Sequence, residues 1–243
     1  MTTAIRYEVT RLRTLRSTWL LASAGVALTG FIAYLAGTII DVPALTARQF
    51  AAAVSGTGVF LPLVAIVLGA MAMGHEYRHR TLDLAVAAVP SRLPLLCAKA
   101  VVVPGTAALT AVVAGATAAV LGKIGLGERV PIEYLINPAL AASIGRMTLL
   151  VALYALAGLA VGTLVSSLTA ALVGLVAVPW MVEPLAALGM RTDQARWLPF
   201  LAGQQIVRHG DGLLSPLTGG LYFAGLITLA LLGAAVVLKR RDV

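Results

Sequence analysis

The stretch Met147–Val165 reads MTLLVALYALAGLAVGTLV and contains no charged residue. A helix needs about 20 mostly apolar residues to cross the hydrocarbon core of a bilayer, so this stretch is predicted to span a membrane. Five more apolar runs of similar length occupy residues 18–40, 54–74, 95–121, 168–188 and 219–238. The sequence therefore predicts an all-α integral membrane protein, with six transmembrane helices in a single transmembrane domain over residues 1–243.

The composition supports the same class of protein. Hydrophobic residues make up 60% of the chain and charged residues 12%. Soluble domains carry about 25% charged residues, so this chain cannot cover a water-exposed surface, and most of its surface is expected to face lipid. These proportions exclude a soluble enzyme, a disordered chain and a secreted disulfide scaffold. The single cysteine, Cys97, cannot form an internal disulfide.

The formal net charge of +8 would suggest a nucleic-acid partner in a soluble protein. Here the charges lie at the ends of apolar runs, and we interpret them as signals of membrane orientation, with no nucleic acid involved. With the N-terminus placed inside, the inner segments hold 11 Lys or Arg and four acidic residues, and the outer segments hold seven and six. The inner side then has a net charge of +7 against +1 outside. The positive-inside rule therefore predicts a cell-membrane protein with both termini in the cytoplasm.

Residues 3–17 are predicted to form an amphipathic helix before the first span. The apolar residues of this segment recur at gaps of three or four: Ile5, Val9, Leu12, Leu15 and Trp19. Its basic residues occupy the remaining surface: Arg6, Arg11, Arg13 and Arg16. Such a helix lies in the headgroup layer of a membrane, and Trp19 suits the interface itself. The alternative is a basic segment without fixed structure that only sets the orientation.

Two of the predicted spans carry small residues at four-residue intervals, which places them on one face of each helix. The third span has Ala107, Ala111, Gly115 and Ala119, and the fourth has Gly158, Gly162 and Ser166. Small residues allow helix backbones to approach closely inside a membrane. We interpret these stripes as packing within the bundle rather than as a subunit interface.

The motif His75-Glu76-x-x-His79, between the second and third spans, matches the pattern of zinc metalloproteases. Catalytic zinc needs a third protein ligand, and the remaining histidine, His209, falls in a segment predicted to lie outside. Arg78 and Arg80 also place two positive charges beside the motif, which opposes the binding of a cation. We therefore expect no bound metal, and an intramembrane zinc metalloprotease is kept as an alternative interpretation.

Other catalytic motifs are absent from the sequence. The chain contains no Gly-x-x-x-x-Gly-Lys-Ser/Thr phosphate loop and no Gly-x-Ser-x-Gly nucleophile motif. The chain is thus predicted not to be an enzyme and to bind no cofactor, and energy for transport would come from another protein. A stand-alone secondary transporter is a second alternative, but its spans should carry charges or breaks near the membrane midplane, where these spans are almost free of charge.

Glu183 lies near the outer end of the fifth predicted span, between Trp180 and Pro184. An acidic residue inside a span is a functional-site candidate by default. The alternative is that Trp180 and Glu183 already mark the outer interface, where tryptophan is enriched, and we favour this interpretation.

Several segments carry a family resemblance. The stretch EYRHRTL at 76–82, followed by Pro90-Ser91-Arg92 and Ala98-Lys99, resembles the first cytoplasmic loop of ABC-2 type permeases, the six-span membrane subunits of ATP-binding cassette exporters. The leading interfacial helix of that family is similar to the segment with Glu8, Arg11, Arg13, Arg16, Ser17 and Trp19. Its last external loop is similar to RWLPF at 196–200 with Ala202-Gly203-Gln204, and the end of the chain from Leu214 resembles actinobacterial members.

The resemblance implies that the chain is a permease subunit of an exporter. A second permease chain, identical or related, would pair with it, and a cytoplasmic ABC ATPase would bind the pair and hold ATP and Mg. The short coupling helix that contacts the ATPase would be formed by Glu76, Tyr77, Arg78, His79, Arg80 and Thr81. Residues 191–216 would form short re-entrant helices over the exit. Trp197 in this segment, and Glu183 as an acidic residue near the outer end of a span, are candidates for the transport pathway or an outer gate. The sequence does not identify the cargo.

Overall fold

A computed structural model describes residues 2–39, 45–79, 92–165, 167–208 and 214–240. These residues are almost entirely helical, and none of them forms a β-strand. Six helical segments among them are long and apolar enough to cross a membrane. The prediction of an all-α integral membrane protein with six transmembrane helices is therefore confirmed.

The chain begins with a helix that is separate from the first span. Helix α1, Thr2–Thr14, is followed after Leu15 by the first span, α2, Arg16–Ile39. The indole Nε1 of Trp19 donates across the break to the backbone carbonyl of Arg13, at 3.0 Å. This bond anchors the end of α1 to the first turn of the span.

The second span consists of two helices, α3 (Ala47–Thr57) and α4 (Leu61–His79), joined by a 3₁₀ turn at Gly58–Phe60. Pro62 lies in the first turn of α4. Because proline has no N–H, it cannot donate the helical hydrogen bond to the carbonyl four residues earlier. The chain therefore passes this point in the tighter 3₁₀ geometry.

The third and fourth spans are continuous helices. They are α5, Arg92–Leu126, and α6, Pro138–Leu164. The side chain of Asn137 caps α6 by accepting a hydrogen bond from the N–H of Ala139, at 2.9 Å. The proline that follows at the first helical position has no N–H to leave unpaired. The local sequence thus fixes where α6 begins.

The fifth span is interrupted in its second half. Helix α7, Leu168–Ala177, passes into a π turn at Val178–Val182 and then into α8, Glu183–Gly189. Pro179 lies in the turn, and its missing N–H removes one bond of the regular helix. π turns are rare, occur mostly as single turns inside α-helices, and are frequent at functional sites.

Two short helices follow the fifth span. They are α9, Thr192–Ala195, and α10, Pro199–Gln204. The sixth span is α11, Pro216–Arg240. The segment that the family resemblance assigns to short helices thus contains two of them among its described residues.

Glycines bring α4 and α6 into close contact. A Cβ atom added to Gly158 would overlap the carbonyl oxygen of Ile66, and one added to Gly162 would lie 2.9 Å from the Cα atom of Ala70. These contacts join two helices of the same chain. The small-residue stripe of the fourth span therefore packs within the bundle, as interpreted from the sequence, while its last member, Ser166, lies outside the described residues.

Large apolar side chains remain exposed along the spans. Examples are Leu20, Leu28 and Phe31 on α2, Leu109 on α5, and Leu221, Leu229 and Leu232 on α11. A soluble monomer rarely exposes a continuous apolar surface of this kind. Such side chains are suited to contact with lipid.

The helices of the bundle meet at two ends. The end that carries α1 is called the α1 end, and it includes the start of α5. The other end is called the opposite end, and it includes the first turns of α3 and α6 together with α10.

Candidate functional site

A buried cluster of charges joins α1 to the bundle. Glu8 and Lys99 are both fully buried, and Nζ of Lys99 donates to Oε1 of Glu8 at 2.5 Å. The other carboxylate oxygen, Oε2, accepts from Nη1 of Arg11 at 3.1 Å. The same Nη1 donates to the backbone carbonyl of Ala72 at 3.0 Å. Glu8, Arg11 and Lys99 are called the ion cluster below.

The ion cluster connects three helices, because its acid and its arginine belong to α1, its lysine to α5, and the bonded carbonyl to α4. A charge buried away from water is tolerated only when it is paired and hydrogen-bonded, and here each carboxylate oxygen has a cationic donor. Ala72 lies about two turns before the end of α4, and Lys99 about two turns after the start of α5. The ion cluster thus holds the ends of the two helices that flank residues 80–91.

The face of α1 that packs on the bundle combines small, charged and apolar residues. Ala4 is 1% exposed and packs against Ala98 of α5, and Glu8 lies on the same side. Val9 and Trp19, by contrast, are 38% and 56% exposed. Val9 and Trp19 of the predicted apolar stripe therefore point away from the bundle, where lipid would be, whereas Ile5 and Leu12 of the same stripe pack against the bundle beside the ion cluster.

The arginines predicted on the polar surface of the interfacial helix divide into two groups. Arg6, Arg13 and Arg16 are exposed. Arg11 differs, because it is partly buried and bonded within the ion cluster. The binding of lipid headgroups by the three exposed arginines stays a prediction.

The predicted ATPase-coupling residues lie partly in α4. Glu76, Tyr77, Arg78 and His79 are the last residues of that helix, so this part of the segment continues the second span. Arg80 and Thr81 lie outside the described residues. The zinc-like motif is likewise carried by the end of α4, and His209 lies outside the described residues. The role of the segment in coupling stays a prediction.

Glu183 holds α10 in place at the opposite end. Its side chain is 3% exposed. Oε1 accepts from the N–H of Phe200 at 3.0 Å, and Oε2 accepts from the N–H of Leu201 at 2.8 Å. These N–H groups belong to the first turn of α10, where no partner exists within the helix. Glu183 therefore caps a helix that begins 16 residues later in the sequence.

Aromatic rings surround the same helix. The ring of Tyr154 lies 6.3 Å from that of Trp180, 5.3 Å from that of Phe200 and 5.4 Å from that of Phe223, measured between centroids. Phe200 and Phe223 are themselves 5.5 Å apart in an edge-to-face arrangement. Such pairs contribute beyond the area that they bury. The cluster joins α6, the π turn of the fifth span, α10 and α11.

A cavity of about 1080 Å³ lies at the opposite end, between α3, α6, the fifth span and α10. Its charged lining residues are Arg48, Arg146 and Arg208. Polar groups of the lining include Ser55, Ser143 and Gln204, and most of the remaining residues, Trp180 among them, are apolar. No Asp or Glu of the described chain lines it. This space is called the arginine cavity below.

Glu183 and Trp197, the residues predicted for the pathway or an outer gate, are near α10 but do not line the arginine cavity. Trp197 is 41% exposed and lies edge-on to Tyr222, with ring centroids 5.3 Å apart. Trp180 does line the cavity. A gating role for Glu183 and Trp197 stays a prediction.

Two features of these sites are not apparent from the sequence. Lys99 contributes to the charge count and to the family resemblance, and neither of them predicts a partner for it. A lysine inside an apolar run needs a buried partner, and that requirement was the available signal. Its partner Glu8 comes from a segment 91 residues earlier. The three arginines of the cavity come from three separate segments, and no spacing in the sequence connects them.

The folded chain is thus a multi-pass α-helical membrane protein. A family model described as ABC-2 family transporter protein matches residues 4–190, which is more than half of the chain. The chain therefore belongs to the ABC-2 transporter family, a family of membrane components of transporters, and the resemblance seen in the sequence is confirmed. No curated protein matches the chain.

Proposed function

We propose that the chain is the permease subunit of an ATP-binding cassette exporter. It would work with a separate cytoplasmic ABC ATPase and with a second permease subunit, identical or related. Membership of the ABC-2 transporter family supports the class of function. The ion cluster, which ties α1 to α4 and α5, is the single observation that carries the finer proposal.

In this proposal the ATPase binds at the α1 end. Both termini and residues 75–94 belong to the segments with the excess of positive charge, and the positive-inside rule assigns them to the cytoplasm. ATP and Mg would bind to the ATPase, and this chain would bind neither.

The ion cluster would allow α1, α4 and α5 to move together at this end. An ATPase that displaced residues 76–81 would pull on the end of α4 and on the start of α5. Because the acid of the cluster is bonded to α5 and its arginine to α4, α1 would move with both helices. Coupling between distant sites is carried by ion-pair and hydrogen-bond networks and by rigid helices, so a local contact at this end would be passed to three helices of the bundle.

The coupling proposal is tested by co-purification. The chain is expressed together with an ABC ATPase from the same organism and purified through a tag on the membrane chain. It is compared as wild type, as Glu76→Ala, and as Arg78→Ala combined with Arg80→Ala. Truncating a charge that is buried and paired at an interface costs about 2–5 kcal/mol, whereas an exposed charge contributes under about 1 kcal/mol. We therefore expect the membrane level to hold while co-purified ATPase falls by at least about tenfold.

The matched control is Arg6→Ala, which removes an exposed charge of α1 at the same end of the bundle. It should leave the amount of co-purified ATPase unchanged. Full recovery of the ATPase with the Glu76 variant and with the double arginine variant would show that this segment is not the coupling element.

A further inference from the structure

The arginine cavity concentrates positive charge. Arg48, Arg146 and Arg208 line it, and no carboxylate of the described chain does. A cleft lined by charges of one sign raises the local concentration of counter-ions, so this space favours an anion. The planar guanidinium group also matches phosphate and carboxylate oxygens in a bidentate geometry.

Neutral hydrogen-bonding groups complete the polar side of the cavity. The hydroxyl of Ser143 donates to that of Ser55 at 3.2 Å, across α6 and α3. Both serines and the amide of Gln204 line the same space as the arginines. An anionic group there could thus accept hydrogen bonds from neutral as well as from charged donors.

A smaller cavity of about 140 Å³ adjoins the first and shares Leu201, Gln204 and Arg208 with it. Arg196 lines this second space, and its Nε atom is buried without an acceptor among the described residues. A buried donor that has no acceptor costs free energy. The adjoining space therefore also favours a ligand with acceptor oxygens.

The remaining lining of the arginine cavity is largely apolar. Val59, Met147, Leu150 and Trp180 contribute to it. Ligand sites with volumes of about 300–1,000 Å³ commonly combine an apolar lining with a few fixed polar groups. A small inorganic anion would leave most of this volume unused, whereas a molecule with a charged head and an apolar part would fill it.

We propose that the arginine cavity binds an amphiphile with an anionic headgroup. The headgroup, a phosphate or a carboxylate, contacts the arginines, and the apolar part lies against Trp180 and Met147. If the bound amphiphile is also the cargo, it is the class of molecule that the proposed exporter moves, and this part of the proposal rests on the proposed function. The binding itself requires neither the ATPase nor transport.

The binding is measured through the fluorescence of Trp180. The chain has three tryptophans, so Trp19→Phe combined with Trp197→Phe leaves the cavity residue as the only one. The full-length protein in neutral detergent is titrated with phosphatidate whose acyl chains are brominated, because bromine quenches tryptophan at short range. Phosphatidylcholine with the same brominated chains is the control probe, and inorganic phosphate is added as a competitor in a third arm.

Phosphatidate is expected to reach half-maximal quenching at a concentration about tenfold below that of phosphatidylcholine. Arg48→Gln combined with Arg208→Gln should abolish this preference. Both residues are exposed, so the variant is expected to fold. The matched control is Arg191→Gln, an exposed arginine that does not line either cavity, and it should keep the preference. Millimolar inorganic phosphate should weaken the quenching only slightly.

Four results would overturn the proposal. The proposal fails if the two lipids quench Trp180 equally in the protein with native arginines. It also fails if a folded Arg48→Gln, Arg208→Gln variant still prefers phosphatidate. Complete competition by inorganic phosphate would make this a site for the free anion. Absence of quenching in a dimeric preparation would mean that a second copy covers the cavity. Since no ATPase is present, these results are independent of the co-purification experiment.

Discussion

Glu8 and Glu183 are buried acidic residues that are satisfied in different ways. Glu8 faces two cations, Lys99 and Arg11, whereas Glu183 accepts from two backbone N–H groups of α10. The desolvation of a charge has to be offset by such partners. Each acid thereby fixes the position of a segment remote in the sequence: Glu8 attaches α1 to the spans, and Glu183 positions α10.

The first prediction concerns the buried pair of the ion cluster. Glu8→Leu should destabilise the chain by about 3–5 kcal/mol, because it leaves Lys99 buried without its carboxylate. Glu8→Leu combined with Lys99→Met should recover most of this loss, since replacing both partners by apolar residues is often close to neutral. Thermal unfolding in detergent measures both effects.

The control for this prediction is Arg6→Ala, an exposed position of the same helix, where a change within about 0.5 kcal/mol is expected. A Glu8→Leu variant as stable as this control would show that the pair does not hold α1. Failure of the double variant to recover would mean that Arg11 also depends on the carboxylate.

At the scale of the elements, long apolar runs with at most one charged residue each made the six spans predictable, because a bilayer leaves few other solutions for such runs. The residues at which the helices begin and end were harder to predict. Helix α6 begins at Pro138, ahead of the apolar run, because Asn137 provides a cap and the helix continues past Arg146 toward water. The breaks at Pro62 and Pro179 depend on a hydrogen bond that proline cannot make, and hydropathy does not register such a loss.

The second prediction concerns the contact between α4 and α6. Gly158→Ala should destabilise the chain by about 1–3 kcal/mol, because its Cβ would overlap the backbone oxygen of Ile66. Gly145→Ala in the same helix should act in the opposite direction and stabilise by up to about 1 kcal/mol, since no atom lies within 4 Å of the added Cβ and alanine favours a helix over glycine.

Both glycine variants are compared by thermal unfolding in the same detergent. The opposite signs are the informative result, because helix propensity alone would make both substitutions stabilising. If Gly158→Ala stabilised the chain as much as Gly145→Ala, the close approach of the two helices would be disproved.

For the whole molecule, the composition was sufficient to predict the class of protein, but not its sites. The ion cluster pairs residues 91 positions apart, and the cavity arginines lie on α3, on α6 and after α10. Such sets form only when the spans pack. Charge counting still carries one global prediction, the orientation, since the segments at the α1 end hold a net charge of +7 and those at the opposite end +1.

The final prediction is therefore that the α1 end faces the cytoplasm and the opposite end faces outward. Cysteine probes are introduced singly into a Cys97→Ala background at positions that are exposed in the structure. Glu128→Cys and Arg191→Cys test the opposite end, and Arg6→Cys and Lys239→Cys test the α1 end. A membrane-impermeant maleimide should label the first two in intact cells, and the other two only after permeabilisation. Lys and Arg near the ends of the spans resist translocation, so the reverse labelling pattern would require the more positive side to have crossed the membrane. That pattern would place the proposed ATPase contact outside the cell and the arginine cavity in the cytoplasm.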